Sequence, residues 1–183
     1  NNQFTGNGPG FAFFKGNIKV VNNEFSSLDY GINGSNIDTL LVENNVFNAD
    51  IEIPFNNVNA ATVFKKNICN VIANCNIKIN NVDSNVFFNS ATIGAKLLTN
   101  NIFNAQGIHL TNSLNAIIAN NLFNTNFNYA QCDGSLFTQN IFMGTFTISH
   151  CDNLKIVSNE MYSNANFSFS QNIKVVGNKF SSN

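Results

Sequence analysis

An asparagine followed two residues later by a large apolar side chain recurs along the chain, at Asn23/Phe25, Asn45/Phe47, Asn67/Cys69, Asn85/Phe87, Asn101/Phe103, Asn121/Phe123, Asn140/Phe142, Asn159/Met161 and Asn178/Phe180. Successive asparagines stand 22, 22, 18, 16, 20, 19, 19 and 19 residues apart. A period near twenty residues is too short for a unit that buries its own core. It marks a solenoid, in which each repeat covers its apolar face only by stacking on its neighbours.

The repeat unit reads as three short strands. Three residues before each asparagine stands an apolar side chain: Val20, Val42, Phe64, Val82, Leu98, Ile118, Phe137, Ile156 and Val175. A weaker set lies two residues earlier, including Ile18, Leu40, Ala116, Leu154 and Ile173. Inward positions two apart define a strand, because side chains alternate across the pleat. A turn holding the asparagine follows, and a second strand returns the Phe inward. Further on come alternating pairs, Ile51/Ile53, Ile108/Leu110, Phe127/Tyr129, Phe146/Ile148 and Phe167/Phe169, which supply a third strand. With no helical run, the chain is predicted to be all-β, a three-sided parallel β-helix of about nine coils. At the usual strand spacing the rod is ~43 Å long.

The asparagine has a physical reason to repeat. At a corner the backbone leaves the sheet ladder, and an amide side chain carries both donor and acceptor, so stacked amides bond coil to coil and to the freed main chain. Its tolerance of left-handed backbone angles is expected to help the bend.

The even repeat predicts one domain over 1–183, with 1–16 as a capping segment ahead of the first coil. Only 10% of residues are charged and the net charge is -1, so solubility rests on Asn, Ser and Thr. Every basic residue is a lysine. Without a basic footprint or arginine forks, nucleic acid is not an expected partner. No apolar run reaches the ~18 residues of a membrane span. The start at Asn1, without an initiator Met or signal peptide, suggests a processed chain or excised fragment. Cys132 and Cys151 stand eight residues before successive asparagines. They are expected to stack in adjacent coils, as reduced buried thiols in preference to a disulfide.

In such a rod a functional site is a column on an outer face. The third strand is expected to present Glu52, Thr92, His109, Asn128, Thr147 and Ser168 outward. Glu52 and His109 then stand about three coils apart, roughly 14 Å, too far to act on one bond. Asp29, Asp50 and Glu52 are the candidate catalytic acids, as the acid and base of a glycosidase, or alternatively oxygen ligands for Ca2+. No other metal or cofactor is expected. Tyr30, His109 and Asn128 are the candidate glycan contacts. Glu43, Lys65 and Asp83 are expected to stack outward in alternating sign and to stabilise register.

Two further outward columns are apolar through the middle coils. Four residues before the asparagine the series is Lys19, Leu41, Val63, Asn81, Leu97, Ile117, Leu136, Lys155 and Lys174. One residue after it the series is Glu24, Val46, Ile68, Val86, Ile102, Leu122, Ile141, Glu160 and Lys179. Flanking the same corner, the two are expected to make one contiguous apolar surface, larger than a monomer normally exposes, and hence an interface with further copies of the chain or with a partner protein.

The units Asn-Ile-Lys-Val-Val-Asn-Asn-Glu-Phe at 17–25, Asn-Leu-Lys-Ile-Val-Ser-Asn-Glu-Met at 153–161 and Asn-Ile-Lys-Val-Val-Gly-Asn-Lys-Phe at 172–180 resemble the repeat of the pectate-lyase-like parallel β-helix superfamily. The resemblance implies a right-handed helix and a carbohydrate partner. In character the chain is similar to a phage tailspike, tail-fibre or adhesin segment, which implies an extracellular, cell-surface or virion location and a homo-oligomer, with a trimer favoured. It departs from the family's enzymes: there is no arginine to serve as a lyase base, and neither His109 nor His150 has clustered aspartates beside it in sequence. The leading expectation is a structural, glycan-binding segment of such an assembly. The alternative is a polysaccharide lyase or glycoside hydrolase.

Overall fold

The structure, a computed structural model, describes residues 2–6, 10–13, 16–26, 29–34, 37–53, 62–70, 75–104, 107–111 and 113–181, with backbone alone at 13, 34, 37 and 111. Short strands assemble into three parallel sheets of ten, nine and nine strands. In sheet A, strands such as Val46–Asn48 and Leu122–Phe123 follow the asparagine. Sheet B holds the next strands, such as Ile51–Ile53 and Phe127–Ala130. Sheet C holds those that lead into the next asparagine, such as Ile37–Glu43 and Ile117–Ala119. Each strand pairs with its counterparts one coil before and one coil after, so the chain winds as a three-sided right-handed parallel β-helix.

Register follows the repeat. Sheet A aligns Phe25, Phe47, Cys69, Phe87, Phe103, Phe123, Phe142, Met161 and Phe180 as direct neighbours. The rings of Phe103, Phe123 and Phe142 stack at 4.9 Å and within 4° of parallel. Where Cys69 replaces a ring, Phe64 on sheet C fills the space and stands 5.9 Å from Phe47 and 6.4 Å from Phe87. A small residue on one wall is offset by a large one on another, which keeps the core at close-packed density. The buried Tyr129 hydroxyl is satisfied within 2.7 Å of Ser135 Oγ and donates to Ser113 O at 3.2 Å. The inward residues of the last coil, Phe167, Val175 and Phe180, are exposed because each is stacked on one side only.

The ladder begins one coil earlier than the sequence reading placed it. Asn2–Thr5 is the first strand of sheet A, with Asn2 opposite Asn23 and Phe4 opposite Phe25. The Asn2/Phe4 pair repeats the spacing 21 residues ahead of Asn23, a legible signal in a stretch read as a cap. Ala12–Phe13 likewise belongs to sheet B.

Each ladder amide is used in full. The Asn45 amide nitrogen donates to Asn67 Oδ1 at 3.0 Å, to Val20 O at 2.8 Å in the preceding coil and to Glu43 O at 3.0 Å. Asn67 Oδ1 also accepts the Asn45 backbone N–H at 2.9 Å. The pattern recurs at Asn85, Asn101, Asn121 and Asn159, all buried. The left-handed residue is not the ladder asparagine, contrary to expectation. It is the residue before it, as at Asn22, Asn44, Lys66, Ser84, Asn100, Asn120, Gln139 and Ser158, with φ between 55° and 59°. The preceding residue makes the bend, which leaves the ladder amide free to point inward and bond along the axis.

Candidate functional site

Sheet B carries the polar outer face. Its strands place Asn33, Glu52, Asn76, Thr92, His109, Asn128, Thr147 and Asn166 in one outward column, each the direct neighbour of the next. The alternating strand period turns these side chains out while Ile51, Ile77, Ile93, Ile108, Phe127 and Phe146 are buried. One expected member is displaced, and the column is longer than expected, with Asn33 at its start. The column includes Asn76 and ends in Asn166, whereas Ser168 pairs with Ser149 in a second column. The inward pair of that coil is therefore Ala165/Phe167 and not Phe167/Phe169. The coil after Asn159 reaches its third strand two residues sooner than the alternation of apolar residues suggests.

Phe169 thus has a different place from the one its sequence pattern predicts. It follows the strand Ala165–Ser168 in a left-handed conformation with φ 49° and is 81% exposed. Its ring stacks on His150, centroids 4.9 Å apart and planes 17° from parallel. His150 also has positive φ, 53°, and follows the strand Phe146–Ser149. Two successive left-handed corners thereby display a flat aromatic platform beside the Thr147/Asn166 and Ser149/Ser168 rungs. The conformation belongs to the corner itself, since Gln131 holds it one coil earlier with φ 57°.

Of the candidate glycan residues, His109 and Asn128 are direct neighbours on the outer column, with Thr147 next. Tyr30 lies apart from them, just before the Asn33 rung and four rungs from His109, which is ~19 Å. Glu52 pairs with Asn33, and Gly31 donates to Asp50 O at 2.7 Å, so Asp50 and Glu52 share one coil while Asp29 lies in the coil before. Among the described residues no three His, Cys, Asp or Glu side chains converge as a metal site. Burial, and then the Asp50 carboxylate, push the Cys75 thiol up to about 12.

Cys132 and Cys151 are free buried thiols in adjacent coils, and donate to Ala130 O at 2.8 Å and Ser149 O at 3.1 Å. The hydrogen bond with Cys151, together with burial, raises the Cys132 thiol well above its ordinary range.

The two apolar columns stand in register and outward. On sheet C, Leu41, Val63, Asn81, Leu97, Ile117 and Leu136 are successive neighbours, with Lys19 before them and Lys155 and Lys174 after. On sheet A, Val46, Ile68, Val86, Ile102, Leu122 and Ile141 run between Glu24 and Glu160, with Lys179 beyond. Ile68, Ile102, Ile117 and Ile141 are exposed, as are Phe88 and Met143 just past the sheet A strands Val86–Phe87 and Ile141–Phe142. The columns are not contiguous, however. A strand period of two puts Glu43, Lys65, Asp83, Thr99, Ala119 and Thr138, polar at every rung but Ala119, on the same outer face as the sheet C column, between it and the corner. Lys65 Nζ lies 3.3 Å and Lys66 Nζ 3.8 Å from Glu43 Oε1. Burial alone would raise the Asp83 carboxyl, but hydrogen bonds from Thr99, Asn100 and Ser84 and the charge of Lys65 hold it below the usual carboxylate range. A polar ridge therefore divides the apolar surface into two stripes.

No helix among the described residues is long and apolar enough to cross a membrane. Compared with known protein families, curated proteins and solved structures, the chain matches none. The class that fold and ladder define is the right-handed parallel β-helix with an internal asparagine ladder.

Proposed function

We propose that the chain is a structural, glycan-binding β-helix segment of an extracellular, cell-surface or virion assembly, of the tailspike or adhesin kind within the pectate-lyase-like superfamily. The observation that carries this reading is the sheet B face. It is an unbroken polar column about 34 Å long at the ordinary strand spacing, ending beside the exposed His150/Phe169 platform. A saccharide ring presents a C–H face that packs on an aromatic ring and a rim of hydroxyls that pairs with amides and hydroxyls. Repeating rungs suit a repeating polymer. The apolar stripes on sheets A and C support self-association as the other half of the reading.

The test is binding of a panel of neutral and acidic polysaccharides by the purified chain, followed by Phe169→Ala and Asn128→Ala. Each substitution is expected to weaken binding about tenfold or more while leaving the thermal melt intact. No binding across the panel refutes the glycan reading. Release of reducing or unsaturated ends that Glu52→Gln abolishes would make the protein a polysaccharide-cleaving enzyme instead.

A further inference from the structure

We infer that copies of this chain associate side by side in parallel, coil matched to coil, with the apolar column of sheet C on one subunit against that of sheet A on the next. The inference rests on the assembly half of the proposed function and adds its direction and register. Its occupant is a second copy of the chain, and the argument is the charge that closes each column.

Both columns are apolar over the same span of coils, interrupted only by Asn81, and both become charged at the same two levels. Lys19 and Glu24 belong to one coil, four residues before and one after Asn23. Lys155 and Glu160 stand in the same relation to Asn159. On sheet C the closing charges are positive, and on sheet A they are negative. Among the described residues neither Lys19 nor Lys155 has an ion-pair partner. Glu24 accepts from Gln3 at 3.1 Å and Ser26 at 3.4 Å, and Glu160 accepts from Tyr162 at 2.7 Å.

Symmetry decides which arrangement uses these charges. A two-fold axis perpendicular to the rod sets sheet C against sheet C in opposite directions, which brings Lys19 to Lys155 of the partner and, on sheet A, Glu24 to Glu160 of the partner. Those are like-charge contacts at both ends, which disfavour the arrangement. A rotation axis along the rod sets sheet C against sheet A at the same height. Lys19 then meets Glu24 of the partner and Lys155 meets Glu160 of the partner, with apolar rungs between. Such a cyclic arrangement closes on itself and leaves no open filament.

The same charges set the register. A slip of one coil puts Lys19 against Val46 of the partner and Leu136 against Glu160 of the partner, so two charges are desolvated without partners. One coil further along, Lys174 faces Lys179 of the partner. That contact lies beyond the apolar span, where both side chains are exposed and screened, and Lys179 is already 3.9 Å from Glu160 within its own chain.

The test is the mass of the intact chain by light scattering over a concentration series at low salt, with charge reversals checked for fold by circular dichroism. Lys19→Glu is expected to weaken association about tenfold, and the Lys19→Glu/Glu24→Lys double variant to restore it. Zero-length carbodiimide coupling of the wild type is expected to join Lys19 to Glu24, and Lys155 to Glu160, between chains in the band of doubled mass. A monomer at every concentration overturns both this inference and the assembly reading. An oligomer that Lys19→Glu tightens or leaves unchanged, or whose cross-links join Lys19 to no Glu24, overturns the parallel arrangement and leaves self-association standing.

Discussion

Replacing Asn121 by Leu tests the ladder where water is least able to compensate. Asn121 is 2% exposed. Its amide donates to Leu98 O at 2.9 Å, Ala119 O at 3.0 Å and Asn140 Oδ1 at 3.0 Å, and its Oδ1 accepts the Asn101 backbone N–H and side-chain amide at 2.9 and 3.0 Å. Leucine matches the number and branching of the side-chain heavy atoms, so no cavity is left, and the greater bulk of its methyl groups can only add to the loss. Several partners survive the change. Asn140 Oδ1 keeps the Asn121 backbone N–H at 3.0 Å, Ala119 O keeps the Asn100 N–H at 3.1 Å, and the Asn101 amide keeps Val82 O and Thr99 O. What is lost outright is the acceptor for the buried Asn101 N–H, together with one donor to Leu98 O. One orphaned buried donor and one weakened carbonyl amount to about 2–4 kcal/mol. For a chain of this size that lowers the melting temperature by roughly 4–16 °C. Asn178→Leu is the control. Asn178 is only half-buried at the end of the ladder, where water replaces the lost partners, so its cost is below about 1 kcal/mol. Thermal melts followed by far-UV circular dichroism compare the two. Equal losses at both sites, or no loss at Asn121, would refute hydrogen-bond satisfaction as the reason the asparagine repeats.

Other predictions follow from the packing and the titrating groups. A Cβ at Gly144 would run into the Thr125 backbone of the preceding coil, so Gly144→Ala is expected to cost about 1–3 kcal/mol, read as a lowered denaturation midpoint. Asp83 has a folded pKa depressed below its unfolded value, so its contribution is fully present above the unfolded pKa, about 4, and is lost as pH falls through the folded value. Because the group is only partly buried, the effect is under about 1 kcal/mol after screening, and Asp83→Asn is expected to flatten acid denaturation slightly between pH 4 and lower values. Burial raises Cys75 to about 12, which cuts its thiolate fraction at pH 8 about a thousandfold relative to an ordinary thiol. Cys69 and Cys75 are therefore expected not to react with a disulfide reagent in the native state and to react in denaturant; rapid native reaction at either would contradict the buried core.

Much of the architecture is legible in the chain because each signal is local and repeated. Asn45, Asn67 and Asn85 mark the corner, and the residues two after and three before them turn inward by the alternation of a single strand. Once aligned, the same counting places Leu41 beside Val63 and Val46 beside Ile68, as the strand pairing has them. Glu43 and Lys65 also meet as the alternation of sign predicts. The errors arise where the alternation of apolar residues is followed in place of the distance from the asparagine: Ala165 stands six residues after Asn159, as Phe146 does after Asn140 and Phe127 after Asn121. Phe169 reads as a core residue because Phe167 and Phe169 alternate, but the coil reaches its third strand two residues earlier and leaves Phe169 at the corner. Ser168 is displaced by the same slip. The apolar stripes read as one patch although Glu43, Lys65 and Asp83, outward and two residues before the asparagine, already stand between them in the same count.

The sequence by itself determined the fold class, the period and most members of each column, because a solenoid converts residue spacing directly into spatial neighbourhood. Tertiary structure alone decided what those columns border. It set the stacking of Phe169 on His150 and the replacement of a missing ring at Cys69 by Phe64 from another wall. Strand alternation is a property of one chain segment, whereas these contacts depend on how three sheets and their unequal turns close around a common core.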